Sequence, residues 1–245
     1  MKGENPRVIG NGMIARSFLQ SRLDPDVLIF ASGVSNSGEV RGSEFSREEA
    51  LLRSVVEENP GSEIVYFSST SVLFAQCNAY SQHKKNMEDL LASSAERFYI
   101  FRLPQVVGMV LNNTLVSYLA RSCMERHCLD VYTDAVRNLI DIEDVVRIVG
   151  VLVNQRLGIG SAQTLASGCN VRVPDLVSEV RRLVSVPCGF NFVPKGDDQT
   201  VSIDFLREHL DDGDPILQSS YWNDVLRKYV PLLKERIVSE KKGPH

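Results

Sequence analysis

The chain is short of cysteine and histidine and has little excess charge of either sign. Its five cysteines, Cys77, Cys123, Cys128, Cys169 and Cys188, form no CxxC pair and have no histidine at metal-ligand spacing. No metal and no disulfide are therefore assigned; the cysteines read as reduced thiols, with Cys123 and Cys128 as core filler. Twenty-seven basic against thirty-one acidic side chains leave a net charge of −4, with no basic cluster before the last few residues. Such a surface repels a nucleic-acid backbone, so no nucleic-acid partner is expected. The tail around Lys241 and Lys242 reads as a solvated terminus. No apolar run approaches the roughly 18 residues that a spanning helix requires, which argues against a membrane protein. The first residues carry no apolar stretch or small-residue cleavage site, so a cytoplasmic location is expected.

What the sequence does have is alternation. Arg7-Val-Ile-Gly10 reads as a strand, and the helical spacing from Met13 to Leu23 follows it. Asp26-Val-Leu-Ile-Phe-Ala31 is a second strand, almost continuously apolar. Ser46 with Glu49 predicts a capping box opening a helix that stops near Asn59-Pro60-Gly61. The strand Glu63 to Ser68, a helix from Tyr80 to Ser94 and the strand Phe98 to Arg102 complete the first half. This order predicts an α/β fold with a parallel sheet covered on both faces. Beyond Gly108 the alternation weakens: helices are expected at 115–127, 144–154 and 174–184, strands at Leu139-Ile-Asp-Ile and Gln163 to Ala166, and mostly helix from Asp204 to Val238. The expected division is a cofactor domain over residues 1–110 and a small substrate lobe over 111–245, whose segments return to the main sheet.

Two features carry chemistry. Gly10-Asn-Gly12-Met-Ile-Ala15 is a GxGxxA turn between a strand and a helix, where bare backbone and free helix N–H groups suit a diphosphate. The acid that usually follows roughly 20 residues on to hold a ribose is absent, since that position falls at Phe30 to Ser32. Tyr80-Ser-Gln-His-Lys84 places a phenol and an ammonium at i and i+4 on one helix face. A neighbouring ammonium favours phenolate and suits a tyrosine to moving protons near neutral pH. Ser68-Ser-Thr-Ser71 ends the preceding strand, where sheet enzymes place reacting groups. A serine there can hydrogen-bond a reacting oxygen.

Together these residues resemble the short-chain dehydrogenase/reductase superfamily, in particular its extended NAD-dependent epimerase/dehydratase branch acting on nucleotide-activated sugars. The likeness runs from about residue 7 to 185 and includes Val65-Tyr-Phe-Ser-Ser-Thr-Ser-Val72, Asn78-Ala-Tyr-Ser-Gln-His-Lys84 with Glu88, Phe101-Arg-Leu-Pro104 with Gly108, and Arg137-Asn-Leu-Ile-Asp-Ile-Glu-Asp144. It implies a Rossmann-like doubly wound sheet and a catalytic set of Ser69, Tyr80 and Lys84. Tyr80 would be the general acid/base, Lys84 would hold the nicotinamide ribose and tune Tyr80, and Ser69 would bind the reacting oxygen, with Thr70 as the fallback. NAD or NADP would be held by Gly10, Asn11, Gly12, Met13, Ile14, Ala31, Ser32, Gly33, Ser68, Tyr80, Lys84, Leu103 and Pro104. A nucleotide sugar would meet Thr70, Asn113, Thr114 and Arg137, the last at its diphosphate. The resemblance further implies a homodimer and a place in polysaccharide biosynthesis.

The departures from that pattern are local. Between the glycine turn and the strand Asp26 to Ala31, the family inserts a strand, a helix and another strand that cradle adenosine; here only about ten residues of helix stand. Two topologies accommodate the loss. Asp26 to Ala31 can lie beside the first strand in the place of the family's fourth, in which case a right-handed crossover moves the first helix to the face opposite its usual one. Alternatively it can take the second-strand place, giving the order 2-1-3-4. Serine and threonine stand after Ser69 where 4,6-dehydratases carry an Asp-Glu pair, so the expected activity is 4-keto reduction or 4-epimerisation. The rival reading is a binding or regulatory protein that has lost cofactor affinity. Of the remaining candidates, His83 is expected on a solvent-facing side of its helix and His127 and His209 on the surface. Asp144 is expected as a helix N-cap, Asp211-Asp-Gly-Asp as a turn, and Tyr221 with Trp222 as anchors of the last helix.

Overall fold

The computed structural model describes residues 7–75, 78–111 and 114–242. In chain order the elements are β1 (Arg7–Ile9), α1 (Met13–Phe18), β2 (Val27–Phe30), α2 (Gly42–Glu58), β3 (Glu63–Ser69), α3 (Ala79–Ser94), β4 (Phe98–Leu103), β5 (Gln105–Val107) and α4 (Leu115–Met124). They continue as β6 (Leu129–Tyr132), β7 (Val136–Asp141), α5 (Ile142–Asn154), β8 (Ser161–Thr164), β9 (Asn170–Arg172), α6 (Val173–Val184), β10 (Phe190–Val193), α7 (Asp204–His209) and α8 (Tyr221–Lys242). Two compact units result: residues 1–103 with 142–165, and residues 104–141 with 166–245. Among the described residues no helix is long and apolar enough to cross a membrane.

The first unit is the Rossmann-like α/β half, a five-stranded sheet in the order β1-β2-β3-β4-β8 with every neighbouring pair parallel. All four residues of β2 are buried, as a strand covered on both faces requires. Leu28, Phe30, Ile64, Tyr66, Phe98 and Ile100 face Leu52 and Val55 of α2 and Met87, Leu90 and Leu91 of α3. On the opposite face Phe18 of α1 meets Phe67 of β3, ring centroids 5.4 Å apart, and α1 packs along α5.

This arrangement decides between the two topologies. β2 lies between β1 and β3, in the fourth-strand place, and β1 is left at the sheet edge. From β1 to β4 the chain steps across the sheet in one direction, yet α1 covers one face while α2 and α3 cover the other. The crossover through α1 therefore has the opposite hand to those through α2 and α3. Since parallel crossovers are right-handed in about 98% of cases, the α1 connection is the exception, and it joins the edge strand β1 to β2.

Some helix boundaries depart from expectation. α1 stops at Phe18 instead of continuing to Leu23; the chain turns at Ser21, whose hydroxyl bonds Phe18 O, and buries Leu23 separately. α2 begins at Gly42, so the Ser46–Glu49 box does not form and Glu49 instead pairs with Arg53 at 2.8 Å. The cause lies just upstream: Glu39 accepts the N–H groups of Val40 and Arg41 and the Arg41 guanidinium, which fixes the entry into the helix at Arg41. α3 is capped by Asn78 and Ser81, each accepting the other's backbone N–H.

In the second unit β7 is central to a three-stranded sheet, parallel to β5 and antiparallel to β9, and β6 pairs in parallel with β10. Helices α4, α6 and α8 pack on one another. Asp141, at the end of β7, anchors α8: it accepts Tyr229 Oη and Lys228 Nζ, both at 2.7 Å, while its N–H donates to Tyr221 Oη. Tyr221 is thus a buried anchor, whereas Trp222 is only half-buried. In the first unit, Asp144 is not an N-cap, because α5 already starts at Ile142; it bonds Arg147 within the first turn.

Candidate functional site

The carboxyl ends of the first unit's parallel strands gather most of the residues singled out above. Gly10 has φ +129°, and a Cβ there would lie 2.4 Å from Ala31 O, so only glycine lets β1 end this close to β2. Gly12 is the N-cap of α1, and a Cβ on it would meet nothing within 4 Å. Asn11 is exposed and Met13 and Ile14 half-buried in the same turn. At the end of β2, Ser32 is touched by Arg47 of α2, whose guanidinium donates to Ser32 O at 3.3 Å. Leu103 ends β4 in the core of this unit, and Pro104 opens the second unit.

β3 ends in the hydroxyl run. Ser68 donates to Glu88 Oε1 at 2.6 Å, which commits its side chain inside the protein. Ser69 Oγ accepts the Ser71 N–H at 3.1 Å as the N-cap of a 3-10 turn, Thr70–Leu73, and keeps its own proton free to donate. Thr70 is buried, and Ser71 Oγ is buried with no partner among the described residues. α3 packs on β3 and on this turn. Tyr80 is 7% exposed, and its hydroxyl makes no hydrogen bond among the described residues.

Lys84 stands differently from Tyr80. It is 3% exposed, and its ammonium donates to Glu48 Oε1 at 3.0 Å, Tyr66 Oη at 3.1 Å and Phe67 O at 3.5 Å. The phenol it bonds is Tyr66; its Nζ lies 6.0 Å from the Tyr80 ring centroid. Glu48, 0% exposed, is the hub of this cluster. Besides Lys84 it accepts Tyr66 Oη at 2.6 Å, the Val34 N–H at 2.6 Å and His83 Nε2 at 2.9 Å. Burial opposes its ionisation, but the His83 hydrogen bond, the Lys84 charge and the Tyr66 and Val34 bonds prevail and lower its pKa from 4.5 to about 2. Burial, reinforced by the same carboxylate, raises the Tyr66 phenol well above its ordinary value. Gly33 closes the cluster, since a Cβ there would sit 2.6 Å from Lys84 Nζ and 2.8 Å from Glu48 Oε1.

His83 corrects an expectation. It is buried, bonded to Glu48 and stacked on Phe45 at 4.6 Å, because Tyr80, His83, Lys84, Met87 and Leu91 form one stripe of α3. Tyr66 and Glu48 did not figure among the sequence candidates at all. Glu48 had a signal in its position four and seven residues before Leu52 and Val55, on the apolar stripe of α2.

In the second unit, Arg137 is held internally: Nη2 donates to Asp197 Oδ1 at 2.7 Å and Nη1 to the carbonyls of Val136 and Asp197. Thr114 caps α4 and exchanges a hydrogen bond with Ser117. Asn113 and Cys77 lie outside the described residues. Cys123 and Cys188 are buried, whereas Cys128 is exposed and so is not the core filler expected, and His127 lies at the surface beside Glu125.

The residues present fit a dinucleotide at two points. The glycine turn leaves bare backbone with open space at Gly12, and Tyr80 offers a hydroxyl without a partner among the described residues. Lys84 fits only once one of its three internal acceptors is given up.

No family model matches the sequence, and no curated protein matches it. Solved structures do resemble it. An epimerase from Methanothermobacter thermautotrophicus superposes with a TM-score of 0.72 at 17% identity, covering 89% of this chain and 75% of that one. The dTDP-glucose 4,6-dehydratase of Bacillus anthracis, in complex with NAD, gives 0.67 at 14% identity over 86% of this chain and 72% of that one. A dTDP-4-dehydrorhamnose reductase from Clostridium acetobutylicum gives 0.65 at 17% identity over 86% and 81%. The chain has the fold of these three enzymes. The match spans 72–81% of those chains' own lengths, and in this chain β1 is the edge strand of the sheet.

Proposed function

We propose that the protein is an NAD(P)-dependent oxidoreductase acting on a nucleotide-activated sugar by 4-keto reduction or 4-epimerisation. The observation that carries this reading is Tyr80 on α3, its hydroxyl without a partner among the described residues, with α3 packed on the turn that presents Ser69. The fold shared with epimerases and reductases supports it. Gly10 to Ile14 and Ala31 to Gly33 would hold the dinucleotide, which when bound supplies or accepts hydride at the sugar carbon. Tyr80 gives its phenolic proton to the sugar oxygen as a ketone becomes an alcohol, and removes it in the reverse direction. Ser69 accepts from Ser71 N–H and donates its own proton to the same sugar oxygen, fixing its position. Lys84 supplies a buried positive charge one helical turn from Tyr80.

Replacing Tyr80 with Phe tests this. Turnover of a dTDP- or UDP-linked 4-keto sugar, followed by NADPH consumption, should fall at least about 100-fold while the thermal midpoint is unchanged. A Phe variant with the parental rate removes Tyr80 from the chemistry. The second reading, a dinucleotide-free binding protein, draws on the full internal use of the Lys84 ammonium. It prevails if nicotinamide fluorescence detects no binding of NADH or NADPH at millimolar concentration.

A further inference from the structure

The Lys84 ammonium has three hydrogens, and the chain supplies three acceptors for them: Glu48 Oε1, Tyr66 Oη and Phe67 O. Any ligand that takes a hydrogen bond from Lys84 must displace one of these. The weakest is Phe67 O, at 3.5 Å; the most strongly held is Glu48, because it is charged, wholly buried and fixed by three further donors from three different elements and loops. Those donors are the Val34 N–H after β2, Tyr66 on β3 and His83 on α3, so the carboxylate cannot follow Lys84 if the lysine moves. A buried ion pair with this geometry resists separation, since parting it leaves two charges uncompensated in a poor solvent. Gly33 leaves no side chain between this pair and the end of β2. Around the pair, the titratable side chains are Tyr66 from β3 and Tyr80 and His83 from α3.

Building on the nicotinamide reading above, we propose that Glu48 is a positioning residue that holds Lys84 away from ligand, so that dinucleotide affinity is set by competition between Glu48 and the dinucleotide for the Lys84 ammonium. A buried structural acid and a clamp differ in sign. Removing a structural acid loosens the fold and weakens binding, whereas removing a clamp frees a donor and tightens it.

The experiment titrates NADH and NADPH, by nicotinamide fluorescence, into the wild-type chain and into Glu48→Gln, Lys84→Met and the double variant. The expected result is about tenfold tighter binding in Glu48→Gln, with the gain lost in the double variant. Tyr66→Phe, which removes one acceptor from Lys84 and one donor to Glu48, should tighten binding by about threefold, and carries the test if Glu48→Gln does not fold. Equal or weaker binding in the folded variant, or a gain that survives Lys84→Met, overturns the clamp and leaves the nicotinamide reading in place. Where no variant binds either dinucleotide, the nicotinamide reading fails and ligand-free reductive methylation decides the clamp. Faster modification of Lys84 in the folded variant than in wild type supports it; equal modification overturns it.

Discussion

Helix α3 reaches two buried carboxylates, and they are held in opposite styles. Glu88, on α3 itself, receives the fork of Arg102 at 2.9 and 2.6 Å and the Ser68 hydroxyl at 2.6 Å. Glu48, on α2, receives a lysine ammonium, an imidazole, a phenol and a backbone N–H. A guanidinium is planar and always charged, and its two parallel bonds lock both partners. A lysine is a point charge on a flexible stem, and its partners at Glu48 can themselves exchange protons or turn. The first cluster ties β4 and the end of β3 to α3 through paired, charge-assisted bonds. The second has the same burial but is built from groups that can change partner, and it lies one turn from Tyr80. Burial alone therefore does not separate the fixed cluster from the adjustable one; the type of cation does.

The largest effect should come from the rigid cluster. Arg102→Ala leaves Glu88 buried with only Ser68 and a distant Lys85 beside it, and should cost about 4 kcal/mol in urea unfolding. If it costs less than Glu48→Gln, the assignment of scaffold and adjustable cluster is inverted.

The next effect is a pH dependence. Glu48 has a folded-state pKa depressed from 4.5 to about 2, so its stabilising contribution is fully present above about pH 4.5 and is lost as pH falls towards 2. At neutral pH linkage bounds this contribution at about 3 kcal/mol. The stability difference between wild type and Glu48→Gln, from urea unfolding at several pH values, should therefore be largest near neutrality and shrink through the acid range. A difference that stays constant or grows on acidification would mean that Glu48 is not held ionised by its neighbours.

These two clusters also show how far the sequence could be read. The parallel sheet was legible because β2, β3 and β4 are nearly unbroken apolar runs, and the Tyr80–Lys84 spacing was legible because one helical turn is a local property. His83 was misjudged although it obeys the same arithmetic: it lies three residues after Tyr80 and four before Met87, hence on the buried stripe. Glu48 was visible as an acid on the apolar stripe of α2, but its partners stand 14, 18, 35 and 36 residues away, and no local pattern connects them. The place of β2 was open for a similar reason. The general preference for one crossover hand pointed one way and the resemblance the other, and the apolar contact of Phe18 with Phe67 lies with the second.

The smallest effect lies at the start of α3, before either cluster. Asn78 Oδ1 accepts the Ser81 N–H at 2.8 Å, and Asn78 Nδ2 donates to Ser37 O at 3.1 Å. Asn78→Ala should cost about 1 kcal/mol in urea unfolding, the usual value of such a cap. Tyr80 is the second residue of this helix, whereas Lys84 is held a turn later by Glu48 and Tyr66. Fraying of the first turn should therefore move Tyr80 and spare Lys84. In Asn78→Ala, turnover should fall a few-fold while dinucleotide affinity holds, and an equal fall in both would show that the clamp depends on the cap instead of fixing the helix from within.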